Sequence, residues 1–294
     1  MRNSISRPIK DFKDDTLVQT TNFPLHVMGE DFFAMTTIEG GDDHFFHGVH
    51  RHDFYEVLWF DKVKHRQEHY IDFIKYPIVN NQIFLLLPDQ VHSMEKKDKS
   101  GILLALSKEF FERLIARDIF KLFCHSTNFS VVIPDEQLNL FQTIMTLIET
   151  EHKTENRPAI LEAYLRGWFL HCIALQRGNP GDKKPDLRLQ SLIDSVETNF
   201  KRERRAGFYA HELSLSAKRL NELTKESYGK TINQIINDRL ILEAKREISC
   251  CEKPIKEISY ELGFSEPSYF TRFFGKHTGY SPEDFRKKMG PMYN

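Results

Sequence analysis

Residues 259–285 read SYELGFSEPSYFTRFFGKHTGYSPEDF, with five phenylalanines among twenty-seven residues and glycines at 263, 275 and 279. A twin lies upstream, where residues 210–229 read AHELSLSAKRLNELTKESYG. Leu213, Leu215 and Ser216 match Leu262, Phe264 and Ser265 at an offset of 49. One inserted residue then moves the offset to 50, so that Leu220, Leu223 and Gly229 match Phe270, Phe273 and Gly279. Two copies of a unit of about 50 residues point to a duplicated supersecondary element.

Each copy has the anatomy of a helix-turn-helix. A short helix ends at Ser214 or Gly263, where a left-handed residue allows a tight exit. Leu215 or Phe264 plugs the space between the helices, and Ser216 or Ser265 is the expected N-cap of the next helix. Pro267 falls in the first turn, where its missing N–H costs little. Phe264, Phe270, Phe273 and Phe274, with Tyr269, are expected to face inward, because a unit this small needs large rings to bury enough area. Helical spacing leaves Lys218, Arg219, Asn221, Glu222 and Lys225 outward in the first copy, and Glu266, Ser268, Thr271, Arg272 and Lys276 in the second. Side chains of these types reach base edges and phosphates in a major groove. A hairpin with a solvated face explains either copy alone. It explains less well two copies joined by TINQIINDRLILEAKREI (231–248), whose apolar positions are Ile232, Ile235, Ile236, Leu240, Leu242 and Ile248.

Charge follows the same division. Of the chain's 41 Lys and Arg and 42 Asp and Glu, 21 and 16 fall in residues 183–294, leaving 20 and 26 before them. A basic C-terminal part beside an acidic N-terminal part suggests that only the former meets a polyanion. RGNPGDKKPD (177–186) has the composition of a linker. The opening MRNSISRPIKDFKDD lacks the apolar core of a secretory signal, and the longest apolar runs are too short for a bilayer. Cys124, Cys172, Cys250 and Cys251 make no CxxC pair, which fits a reduced, cytoplasmic setting.

Before the linker, residues ~20–107 have short apolar runs with β-branched and aromatic residues and are expected to form strands, FYEVLWF (54–60) and QIFLLLP (82–88) among them. Residues 108–176 are expected to be helical. Ser107 is the predicted cap of the first helix. Leu138, Phe141, Ile144, Met145 and Ile148 form one apolar stripe, and Leu161, Tyr164, Leu165, Trp168, Phe169 and Cys172 another. Within HRHDFYEVLWF (50–60), His50, His52 and Glu56 have H-x-H-x3-E spacing, and His92 follows in LPDQVHS (87–93). Three imidazoles and a carboxylate are donors suited to a first-row metal. They equally suit hydrogen bonding within the fold or the wall of a ligand pocket. Nearby His44, His47, His65 and His69 either tune a pH response or sit in solvated loops. No phosphate-binding Gly loop, Ser-His-Asp order or catalytic Cys context is present.

The pattern YAHELSLSAKRLNEL…GKT, then the joining helix, then IKEISYELGFSEPSYFTRFF…TGYSPEDFRK resembles the DNA-binding domain of AraC/XylS-type transcription regulators. The resemblance spans about Leu187 to Lys288. Ile258, Gly263, Phe264, Ser268, Tyr269, Phe270, Arg272 and Phe274 match the second unit of that family. Ser259, Gly275 and Thr224 depart from it. The N-terminal motifs resemble those of cupin barrels, and of the effector-binding barrel that often precedes this DNA-binding domain without holding metal. Gln90 and Asn81 stand where metal-binding cupins usually have glycine.

The resemblance implies an α+β multidomain protein. Residues 1–134 would be a cupin-like sensor barrel, 135–176 a helical dimerisation segment, 177–186 a linker and 187–294 an all-α DNA-binding domain with two helix-turn-helix units. It implies a non-enzymatic, cytoplasmic regulator of double-stranded promoter DNA that responds to a small-molecule effector and forms a homodimer, with RNA polymerase a further candidate partner. The recognition helices would enter major-groove segments about one turn, ~34 Å, apart. By position, Lys218, Asn221, Glu222, Ser268, Thr271 and Arg272 would read bases, while Lys225, Lys276 and Arg286 would hold phosphates. His50, His52, Glu56 and His92 are then expected to line the effector pocket, with no metal or cofactor. The rival from another class is a metal-dependent cupin enzyme with an accessory helical domain.

Overall fold

The computed structural model describes residues 25–26, 28, 31–41, 46, 48–114, 129–177, 187–250 and 253–289. They form two compact units, one holding the strands and the first three helices, the other the remaining helices.

In the first unit, β1 (Leu25–His26) pairs in parallel with β3 (Arg51–His52). A five-stranded antiparallel sheet runs β10 (Phe129–Val132), β7 (Gln82–Leu86), β4 (Tyr55–Val63), β9 (Lys99–Leu106), β2 (Phe33–Thr37). A three-stranded sheet runs β6 (Ile74–Ile78), β5 (Gln67–Ile71), β8 (His92–Ser93). The strand expectations for 54–60 and 82–88 correspond to β4 and β7. Among the described residues the sheets stay separate and do not close into the expected barrel; an isolated bridge pairs His50 with His92.

β4 is buried on both faces, and its alternation sorts two cores. Tyr55, Val57 and Trp59 join the helices α1 (Lys108–Leu114), α2 (Asp135–Lys153) and α3 (Pro158–Arg177) through Phe110, Phe141, Met145, Leu165 and Trp168. Leu58 and Phe60 belong to the opposite core, with Phe84, Leu86, Ile71 and Ile78. Burying one such side chain contributes roughly 1.5–3 kcal/mol. The stripes expected on α2 and α3 therefore pack inside this unit, while Leu140 and Leu147 of α2 stay 41% and 44% exposed. Ser107 caps α1, its Oγ accepting from Phe110 N at 3.2 Å. The α2–α3 turn is clamped by Arg157, which donates from N and Nε to Glu151 Oε1 and from Nη2 to Oε2, at 2.8–2.9 Å. Residues 108–176 are not uniformly helical. β10 interrupts them, because Phe129, Val131 and Ile133 alternate toward the core while Val131 pairs with Ile83 of β7.

The second unit is helical: α4 (Leu187–Asn199), α5 (Ala206–Glu212), α6 (Ala217–Tyr228), α7 (Ile232–Cys250), α8 (Ile255–Glu261), α9 (Pro267–Thr278) and α10 (Pro282–Met289). The repeat governs the boundaries, since α5 and α8 start 49 residues apart and α6 and α9 start 50 apart. α7 buries Ile232, Ile236, Leu240, Ile241, Ala244 and Ile248 and so serves as the shared core helix. Ser214 and Gly263 take the left-handed conformation expected at the turns, with φ of 54° and 78°. At Gly263 a Cβ would stand 2.0 Å from the Lys201 carbonyl oxygen, so the backbone leaving α4 lies directly on the second turn. Arg204 reinforces this contact, stacking 3.8 Å from the Phe264 ring centroid and donating to Leu262 O at 2.7 Å. The linker expected over 177–186 lies outside the described residues except for Arg177, which closes α3.

Candidate nucleic-acid interface

α6 and α9 are built alike. Each has twelve residues and ends at a left-handed glycine, Gly229 or Gly279, whose N–H bonds back to Lys225 O or Gly275 O. Each buries a narrow stripe, Leu220, Leu223 and Thr224 on α6, Phe270 and Phe274 on α9, against its own unit.

On α6 the structure leaves Lys218, Arg219, Glu222 and Lys225 exposed, as expected. Arg219 Nη1 donates to Glu222 Oε2 at 3.1 Å, so this pair presents a donor beside an acceptor. Asn221 is placed differently. Its Oδ1 accepts from Ile232 N at 3.1 Å and its Nδ2 donates to Ala217 O at 3.0 Å. The side chain expected to read a base instead satisfies a free N–H at the start of α7, a need that exists only once α7 folds back on α6.

On α9, Glu266, Ser268, Thr271, Arg272 and Lys276 are all exposed. Thr271 Oγ1 donates to Pro267 O at 3.0 Å, which leaves its methyl and oxygen lone pairs on the outer face. Tyr269 corrects the inward expectation, being 52% exposed; Phe264, Phe270 and Phe274 are buried and Phe273 is half-buried. The Tyr269 ring falls on the outer side of α9, one residue from Ser268 and three from Arg272. Ser265 also departs from expectation. Ser216 accepts from Arg219 N at 3.2 Å, whereas the N-cap of α9 is Glu266 and no side chain caps it. The inserted residue moves the helix start by one, so Ser265 falls one place short. Arg286 is not a free phosphate ligand, for its guanidinium donates to Ile248 O and Lys253 O at 3.1 and 2.8 Å. Two of the family departures are accommodated by hydrogen bonds: Ser259 Oγ donates to Lys256 O at 2.7 Å, and Thr224 Oγ1 to Asn221 O at 3.2 Å.

In the first unit, the structure brings His50, His52, Glu56 and His92 together, all buried. His52 Nε2 lies 3.3 Å from Glu56 Oε2, and its Nδ1 is 2.7 Å from Phe54 O. The rings of His50 and His92 stand 4.2 Å apart, centroid to centroid. Burial pushes the Glu56 carboxyl up to about 8. His69, which loop solvation would have exposed, is buried on β5, with Nε2 3.2 Å from His92 Nδ1. Burial, with Lys99 and His52 nearby, pushes its imidazole down to about 3, so it is neutral. His65 is exposed, and His44 and His47 lie outside the described residues. The missed member of this cluster is His69. The Q-E-H-Y-I alternation of β5 puts His69 on the same face as Ile71, and that was the available signal.

A repeated helix-turn-helix around a shared central helix, with two exposed polar helix faces, is the architecture of a DNA-binding domain. The family description "Helix-turn-helix domain" matches residues 209–288. The HTH-type transcriptional activator RhaR of Mannheimia succiniciproducens is 22% identical over 256 residues, covering 82% of this chain and 87% of that protein. The HTH-type transcriptional activator RhaS of Salmonella schwarzengrund is 24% identical over 153 residues, covering 51% of this chain, so the match spans about half (54%) of that relative's length. A 1.65 Å structure of ToxT from Vibrio cholerae covers 89% of this chain and 100% of its own at 15% identity, with a TM-score of 0.47. The C-terminal unit carries a helix-turn-helix domain, and the chain is a DNA-binding transcription regulator similar to the HTH-type transcriptional activators RhaR and RhaS. Among the described residues no helix is long and apolar enough to cross a membrane.

Proposed function

We propose that this regulator binds a double-stranded promoter by laying α6 and α9 in successive major-groove segments, and that its β-rich unit makes binding respond to a small-molecule effector. The observation that carries the DNA reading is the matched pair of glycine-ended twelve-residue helices, each with an outward polar face, set 50 residues apart. Lys218, Arg219 and Glu222 on α6, and Ser268, Thr271 and Arg272 on α9, with Glu266 at its start, are the base-reading set. Lys225 and Lys276 hold phosphates, which position the helices without specifying sequence. Arg272 suits the O6 and N7 edge of guanine, and Glu222 the N4 amine of cytosine.

His50, His52, Glu56 and His92 form the polar part of the sensing site. The effector acts by binding one conformation of the regulator better than another. A second copy of the chain docks on α2, where Leu140 and Leu147 lie seven residues apart on one exposed side. A dimer of this kind would present its DNA-binding domains to RNA polymerase at the promoter.

Selection of bound sequences from random duplex DNA tests the core of this function. The full-length protein should recover two short elements about one helical turn, ~34 Å, apart. Recovery of a single element would mean that only one helix reads sequence. Recovery of none, by the full chain and by residues 183–294 alone, would reject it.

A further inference from the structure

Gln90 and Asn81, in place of glycine, argue against a metal at the histidine cluster by resemblance alone. Asn81 adopts the left-handed conformation itself, with φ of 58°, so the turn glycine would have made is still made. Gln90 points elsewhere: its Oε1 accepts from Leu87 N at 2.7 Å and its Nε2 donates to Asp72 Oδ2 at 2.8 Å.

The donor atoms are arranged for a cation. One nitrogen from His52, one from His92 and a carboxylate oxygen of Glu56 all lie within 4.8 Å of one another, and all three residues are buried. Ligands about 2.0–2.2 Å from a zinc-like ion stand roughly 3.3–3.5 Å apart in a tetrahedron. His52 Nε2 and Glu56 Oε2, at 3.3 Å, already have that spacing. Phe54 O can only accept, so His52 Nδ1 carries a proton toward it and Nε2 is the nitrogen that faces Glu56. On the other ring, His69 Nε2 lies 3.2 Å from His92 Nδ1, a buried ring-to-ring hydrogen bond that fixes the His92 imidazole. Outer hydrogen bonds of this kind are what orient metal-binding imidazoles.

We infer that His52, Glu56 and His92 bind a first-row divalent metal ion within the β-rich unit, with His69 and the Phe54 carbonyl orienting the two imidazoles. Three protein ligands leave at least one coordination position for an oxygen of a small ligand, which gives the sensing site a chemical class of effector: a small carboxylate or other oxygen chelator. This rests on the sensing role proposed above, but its test reads metal without DNA, so either can fail alone.

The probe is cobalt(II), whose visible absorption reports its coordination, titrated into chelator-treated full-length protein carrying no polyhistidine tag. One cobalt per chain is expected, with an absorption that zinc(II) abolishes by competition. Glu56→Gln, close to isosteric, should remove the stoichiometric binding, as should His52→Ala; circular dichroism checks that both remain folded. His69→Gln should weaken the ion about 10–100-fold without removing it. His65→Ala, on an exposed turn, should bind as the parent does. No stoichiometric cobalt in the parent protein overturns the site, as does binding that persists unchanged in folded Glu56→Gln.

Discussion

Arg272 and Tyr269 stand three residues apart on the outer face of α9, and their positions show how single side chains divide the work there. Arg272 is exposed, and its fork of donors matches a guanine edge. Arg272→Ala should weaken the selected site by ~1–3 kcal/mol and relax the preference at one base. Competition binding with cognate and random duplexes measures this, and equal loss on both would place Arg272 on the backbone instead. Lys225 lies in the last turn of α6 and should contact phosphate. Lys225→Ala is expected to weaken cognate and random DNA alike and to lower the slope of log affinity against log salt by about one. Asn221, with its amide engaged on Ile232 N and Ala217 O, belongs to a third kind. Asn221→Ala should lower the melting temperature of the domain and leave the base preference intact, which a thermal melt beside the same selection assay would show.

At the scale of elements, the two copies differ by one residue, and that residue has an energetic consequence. Ser216 caps α6, whereas Ser265 lies one position before Glu266, the N-cap residue of α9. Ser216→Ala should cost about 1 kcal/mol in urea unfolding, and Ser265→Ala should cost nothing comparable. The same pair shows what was legible beforehand. The repeat, its left-handed turn residues and the glycine ends were readable, because each depends on a local backbone demand that only a few residue types meet. The insertion was visible too, but not that it would put Glu266 rather than Ser265 at the N-cap. β10 was hidden for another reason. Phe129, Val131 and Ile133 alternate over too short a run to stand out, and their role depends on a vacant edge at β7, far away in sequence. In the histidine cluster, the H-x-H-x3-E spacing was plain, while the contribution of His69 required β5 to lie beside β8.

For the whole molecule, charge and packing bind the helical unit into one body. Glu243 on α7 meets Arg239 at 2.9 Å and Lys201 at 2.7 Å. Burial alone would raise its carboxyl, but Arg239 and Lys201 outweigh burial and hold it at about 2, below its ordinary 4.5. Because the folded value is the lower one, the stabilisation is fully present above about pH 4.5 and is lost as pH falls toward 2. Acid titration of residues 183–294 should therefore show a loss of stability across that window that Glu243→Gln lacks. The contact between Gly263 and Lys201 has a further consequence, for where the chain can be cut. A peptide covering 253–289 contains a complete helix-turn-helix by sequence, yet it leaves behind the strand of backbone that covers its turn and the Arg204 guanidinium that lids Phe264. The second half thus relies on residues outside it: excised alone, 253–289 is expected to lack the cooperative thermal transition that residues 183–294 show by circular dichroism.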